Sequence, residues 1–132
     1  MSAILKTAVD LGAGLTEQAV TIDVEGQALF GNAVIPANPG KTGVIAVHGW
    51  SGYRHGPHGL LTYLCRRLAT TGCPTLRFDF RGRGESQGSG LAVNLPTMAD
   101  DLVAASAWFT RRYQLRSVIY LGICSGGNVA IG

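Results

Sequence analysis

Between Gln18 and Ile35 the chain is dominated by β-branched and aromatic residues in two runs, AVTIDVEG and QALFGNAVI, that meet at Gly26. This pattern predicts two strands joined by a tight turn. Pro36, Ala37, Asn38, Pro39 and Gly40 form a turn cluster,. Beyond it the pattern changes. The run Val44 to Val47 is continuously apolar, as a strand buried on both faces requires,. Leu60, Leu61, Leu64 and Leu68 then recur at helical spacing, and Thr71-Gly72 ends that helix,. CPTLRFDF predicts a second buried strand, with Pro74 tolerable only at its start,.

After the loop RGRGESQGSG, a second helix is expected from about Thr97, which with Asp100 makes a capping-box-like start just after Pro96,. Met98, Leu102, Ala105 and Phe109 line one face of it. Asp100 and Asp101 lie at its positive end, Arg111 and Arg112 at its negative end,. SVIYLGI reads as a third buried strand, and GGNVAIG as the opening of a further helix. Strand and helix therefore alternate, which gives an α/β fold: a mostly parallel sheet with an antiparallel N-terminal hairpin at its edge and helices on both faces. The chain's 132 residues suit one domain, with its core starting near residue 18,. The last helix has barely two turns, so a domain incomplete at its C-terminal side is expected.

Composition narrows the function classes. Charged residues make up 14%, against about 25% in an average globular domain, which fits elements buried on more than one side,. The net charge is +3 and the basic residues are scattered without interleaved aromatics, which argues against nucleic acid as a partner,. Cys65, Cys73 and Cys124 are odd in number and lack metal-site or C-x-x-C spacing, so no metal and a reducing cytoplasm are expected,. The opening MSAILKTAVDLGAG is too short in its apolar part, and interrupted by Lys6, for a secretion signal,. No apolar run reaches the ~18 residues of a membrane span.

The chemistry concentrates in Gly122-Ile123-Cys124-Ser125-Gly126-Gly127, between an apolar strand and a helix. This is the G-x-nucleophile-x-G spacing of a nucleophile elbow, where a strained turn leaves space only for small residues two before and two after the nucleophile. Gly122 and Gly126 satisfy that demand around Cys124, whereas centring on Ser125 puts Ile123 in a small slot. Cys124 is therefore the expected nucleophile, activated as a thiolate at a helix start. The competing reading is an inert cysteine packed at a glycine-rich strand end. The backbone N–H of Ser125 is one expected oxyanion donor. His48-Gly49-Trp50 ends the first buried strand, on the sheet edge it shares with the elbow. Gly49 permits close approach, and the Trp50 N–H is the expected second donor.

His48, His55 and His58 all precede the nucleophile, and none is expected to be its general base. His48 suits a local hydrogen bond better. Asp79 and Arg81, at the end of the second buried strand, are expected to pair with each other and organise their loop. A dinucleotide-binding reading of Gly82, Gly84 and Gly88 fails: G-x-G-x-x-G needs glycine at Gln87, and no helix opens directly afterwards,.

The ordered trio HGW, DFRGRGES and GICSGG resembles the α/β-hydrolase superfamily, from about Gln18 to the end of the chain. RFDFRGRGES with GICSGG resembles serine-aminopeptidase-type and exosortase-associated hydrolases, and the cysteine is similar to that of dienelactone hydrolase. The resemblance implies a cofactor-independent hydrolase of small acyl substrates (esters, lactones, thioesters or amides) working through an acyl-enzyme on Cys124. It also implies an acid and a His after the nucleophile, and residues 125 to 132 contain neither. The 132-residue chain is therefore expected to be inactive by itself. A binding module or pseudo-enzyme of the same fold is the alternative, and oligomeric state is left open.

Overall fold

In the computed structural model residues 7–132 are described. The first six residues of the opening segment weighed above as a secretion signal lie outside them. Six strands form one mixed sheet: β1 (Ala8–Gly12), β2 (Leu15–Val24), β3 (Gln27–Pro36), β4 (Thr42–Val47), β5 (Thr75–Phe78) and β6 (Ser117–Gly122). Their spatial order is β1-β2-β3-β5-β4-β6. The first four in space pair antiparallel, and β4 pairs parallel with both β5 and β6. The expected hairpin is β2–β3, turning at Glu25-Gly26 with φ of 52° and 81°, the left-handed pair that a two-residue hairpin turn requires.

Two differences from the sequence reading concern the N-terminal edge. β2 begins at Leu15 rather than near residue 18, and β1 precedes it. β2 changes its buried face along its length: Leu15 and Glu17 are buried in its first half, Ile22 and Val24 in its second. The buried carboxylate at Glu17 hides that first half from a reading based on apolar alternation. Arg66 reaches Glu17 Oε2 at 2.5 Å, and Arg77 holds Oε1. Burial alone raises the Glu17 pKa, but these two guanidinium groups outweigh it and leave the carboxyl below its ordinary value.

Three helices complete the architecture: α1 (Leu60–Ala69), α2 (Leu95–Tyr113) and α3 (Ser125–Ile131). α1 closes a cluster with Leu15, Val34 and Ala46. α2 closes a larger one with Ile22, Leu29, Ile45, Leu76 and Phe78, which α3 joins through Val129. Helices thus cover both faces, as right-handed crossovers running in opposite directions along the sheet, β4 to β5 and β5 to β6, demand,. The buried face of α1 is Leu61, Cys65 and Ala69, while Leu60 is exposed. The leucine spacing predicted the helix but missed its inward side, because a cysteine and an alanine fill the narrow space over the sheet. In α2 the predicted face Met98, Leu102, Ala105, Phe109 is buried. Its start is not Thr97 with Asp100, however. Asn94 caps the helix, accepting from the Thr97 N–H at 2.9 Å while the Thr97 hydroxyl accepts from the Asn94 N–H at 3.0 Å. Asp101 is buried in the service of Arg81 rather than placed at an exposed helix end.

β6 also departs from expectation. It is the last strand of the sheet among the described residues, and Ile119 and Tyr120 are 55% and 40% exposed. Its apolar side chains therefore stand uncovered at the sheet edge among the described residues. No helix among the described residues is long and apolar enough to cross a membrane.

Candidate active site

The strand order reverses at β4: the chain goes to β5 on one side and then, through α2, to β6 on the other. Such a switch point opens a crevice at the carboxyl ends of the parallel strands. His48-Gly49-Trp50 follows β4 and Cys124-Ser125 follows β6, so the two segments meet there.

The bend after β6 is sharp. Cys124 has φ 53° and ψ −130°, immediately before α3, and its side chain is exposed. A non-glycine residue in that conformation is strained and persists only where its surroundings enforce it. The surroundings are backbone. A Cβ on Gly122 would stand 2.5 Å from the Gly127 nitrogen, and one on Gly126 would stand 2.5 Å from the His48 carbonyl oxygen. Strand, helix and the β4 corner therefore touch main chain to main chain on either side of Cys124. A Cβ on Gly49 would lie 3.2 Å from that of Cys124, so the second corner closes directly on Cys124. The Trp50 N–H donates to Ser125 Oγ at 2.6 Å. The Ser125 N–H belongs to the first helical residue and precedes the helix's own bonding ladder.

His48 is 1% exposed. Its Nε2 accepts from the Phe80 N–H at 3.3 Å, which makes Nδ1 the protonated nitrogen, donating to the Gly49 carbonyl at 2.7 Å,. Burial pushes its pKa below the ordinary imidazole value, against the Gly49 bond and the Asp79 charge that raise it. A neutral ring with both nitrogens engaged is a strut between two loops. His55 bonds Thr62 Oγ1 at 2.9 Å, and His58 sits in the turn Pro57–Gly59. Among the described residues, no histidine hydrogen-bonds Cys124.

The expected Asp79–Arg81 pair does not form. The fully buried Asp79 carboxylate accepts the Arg54 N–H and Nη1, both at 2.6 Å, and the Glu85 N–H at 3.0 Å. Arg81 turns instead to Asp101, at 2.6 Å, and to Glu25, at 2.9 Å. Arg54 comes from the loop after β4 and Asp101 from α2, so each member of the expected pair finds its partner on a different element. Burial raises the Asp101 pKa despite Arg81, so desolvation wins there.

Two residues absent from the sequence reading matter to the site. Arg54 ties the β4 loop to Asp79, and Arg83 Nε holds the Trp50 carbonyl at 2.6 Å. Nothing in their local sequence marks them. Among the described residues, no group of three His, Cys, Asp or Glu side chains converges as a metal site requires. The largest cavity, about 660 Å³, lies between the β1–β2 turn and α1, lined by Leu11, Leu15, His55, Tyr63, Arg66 and Arg67 among others. It shares no residue with the elbow, so size and chemistry point to different places.

Comparison with known proteins gives a consistent answer on the fold. A family described as alpha/beta hydrolase fold matches residues 43–131. A dienelactone hydrolase of Anabaena variabilis is similar at 29% identity and TM-score 0.74, over 89% of this chain and 56% of that one. An esterase of Pyrococcus furiosus is similar at 28% identity and TM-score 0.75, over 87% and 42%. Est1E from Butyrivibrio proteoclasticus, solved with ferulic acid bound, shares the fold at 24% identity and TM-score 0.75, over 84% and 45%. The chain thus spans about half the length of these structures. No curated protein matches.

Proposed function

Because the chain belongs to the alpha/beta hydrolase fold family, we propose that it carries the nucleophile and oxyanion half of an ester-hydrolysing site, with Cys124 as the nucleophile. The Cys124 thiolate attacks the carbonyl carbon of a small acyl ester, and the carbonyl electron pair moves onto oxygen. The N–H groups of Ser125 and Trp50 receive that oxyanion. Collapse expels the alcohol and leaves a thioester on Cys124, which water then resolves. The observation that carries this reading is the bend itself: a strained, exposed Cys124 held by main-chain contact on both sides, with the Trp50 N–H one hydrogen bond from its neighbour.

His48, Gly49, Gly122, Gly126 and the Asp79–Arg54 and Arg81–Asp101 pairs shape this corner without touching the substrate. The hydrogen bonds of His48 and His55 engage both rings away from Cys124. The chain on its own is therefore expected to accept one acyl group and turn over slowly. This same observation favours a second reading, a binding module that retains the cleft and has no hydrolytic role.

The test is intact-protein mass spectrometry after brief exposure to p-nitrophenyl acetate. We expect a single acetyl adduct on Cys124, formed faster than on the half-buried Cys73, and no such fast adduct in Cys124→Ala. Equal labelling of Cys124 and Cys73 would leave the binding module as the better account, and sustained turnover that Cys124→Ala abolishes would mean a base is present after all.

A further inference from the structure

The Ser125 hydroxyl stands where a substrate oxygen has to go. Its Oγ accepts the Trp50 N–H at 2.6 Å, and that N–H is one of the two donors assigned above to the oxyanion. The inference therefore rests on the proposed esterase chemistry and goes one step beyond it.

The Trp50 donor is not free to turn aside. Arg83 Nε holds the Trp50 carbonyl at 2.6 Å. On its other side the Gly49 carbonyl takes the His48 Nδ1–H at 2.7 Å and the Gly52 N–H at 3.0 Å. The peptides flanking the donor are fixed by His48 and Gly52 of the same corner and by Arg83 of the loop after β5, and the hydroxyl comes from the residue next to the nucleophile. A carbonyl oxygen entering the crevice meets an N–H already occupied by a neutral acceptor.

We propose that Ser125 Oγ is an internal ligand of the oxyanion donor, displaced when an acyl substrate binds, which makes Ser125 a residue that sets how strongly acyl substrates bind. A neutral carbonyl oxygen competes with the hydroxyl on roughly equal terms. A developing oxyanion forms a charge-assisted hydrogen bond, about twice as strong, and displaces it decisively. Relative to the free protein, the bound ester and the transition state both lose this internal bond, so the hydroxyl raises the half-saturating ester concentration and leaves the limiting acylation rate unchanged.

The experiment compares two reactions of the same sulfur. Acylation of Cys124 by p-nitrophenyl acetate passes through an oxyanion, whereas alkylation by iodoacetamide displaces iodide without one. The ratio of the two rates cancels changes in thiol reactivity and isolates the donor. In Ser125→Ala the ratio should rise about three- to tenfold, the equilibrium weight of one intramolecular hydrogen bond. The gain should appear in the half-saturating ester concentration rather than in the limiting acylation rate. Ser125→Gly gives the same comparison where alanine disturbs the turn. An unchanged or lower ratio in the folded variant overturns the proposal, a lower one meaning that the hydroxyl assists as a donor. A wild-type ratio no higher than that of N-acetylcysteine is a different failure. It removes the oxyanion assignment itself, and the proposal with it.

Discussion

His48 illustrates how a residue beside the proposed nucleophile can be structural. Its ring spans the Gly49 carbonyl and the Phe80 N–H and packs edge-on against the Phe80 ring at 4.8 Å. Protonation of Nε2 would remove the only acceptor offered to the Phe80 N–H. The folded pKa lies below the ordinary value because the ring is buried. The unfolded chain therefore binds this proton more readily, and the stabilisation is present above the unfolded pKa of about 6.5 and lost as pH falls toward the folded one. His55 shifts in the same direction, with burial again the first cause. Stability to urea should fall between pH 7 and pH 5. In His48→Asn, which retains a neutral side chain, the fall should be visibly shallower. An equal fall in both proteins would show that this ring does not carry the acid sensitivity.

At the scale of elements, the elbow is the part of the molecule most legible in sequence. Its glycines record main-chain contacts, and the spacing of those contacts is fixed by the strand-to-helix bend itself. Gly122→Ala would bring a methyl group 2.5 Å from the Gly127 nitrogen and 2.6 Å from the Gly126 carbonyl, neither of which belongs to a flexible side chain. The bend must open, so Cys124 acylation should drop by at least tenfold while iodoacetamide still alkylates the exposed thiol. A cooperative thermal melt in the variant distinguishes a misplaced sulfur from an unfolded chain, whose thiol iodoacetamide would also alkylate. The ion pairs, by contrast, were illegible. Arg54 meets Asp79 across 25 residues, and Arg83 meets Trp50 across 33. A local reading therefore assigned Asp79 to Arg81, its nearest cation in sequence. The start of α2 failed for a related reason. Asn94 and Thr97 bond reciprocally and start the helix two residues before Thr97, while the Thr97–Asp100 spacing imitates the same motif one turn later. Periodicity located each helix, but the inward side of α1 depends on the space over Ala46 and Val34, which no periodicity contains.

For the whole molecule, the sheet has two unlike ends. β1 closes one with a short, mostly exposed strand (Ala8–Gly12) that, among the described residues, pairs only with β2. At the other end β6 presents an apolar strand whose outer edge is unpaired among the described residues, with Ile119 55% exposed and Tyr120 tied to Ser106 Oγ at 2.9 Å. Natural sheets blunt such edges with charges, proline, bulges or a covering element. None of the first three is present between Ser117 and Gly122, where the sequence is SVIYLG. An uncovered edge of this kind recruits another strand, and a second copy of the same chain is always at hand. In solution the chain should therefore associate with rising concentration, and sizing chromatography at several loadings should resolve the shift. Ile119→Lys adds a charge to the exposed surface of that strand without disturbing the Tyr120–Ser106 bond, and should move the population toward monomer. If the wild-type chain elutes as a monomer at every concentration, β6 does not act as a pairing edge, and the exposed Ile119 and Tyr120 must be tolerated as ordinary surface. The cleft and the edge lie on the same strand, since β6 ends at Gly122 two residues before Cys124. Pairing along β6 should therefore also slow ester access to the thiol, so that acylation per molecule declines with concentration in the wild type and stays constant in Ile119→Lys.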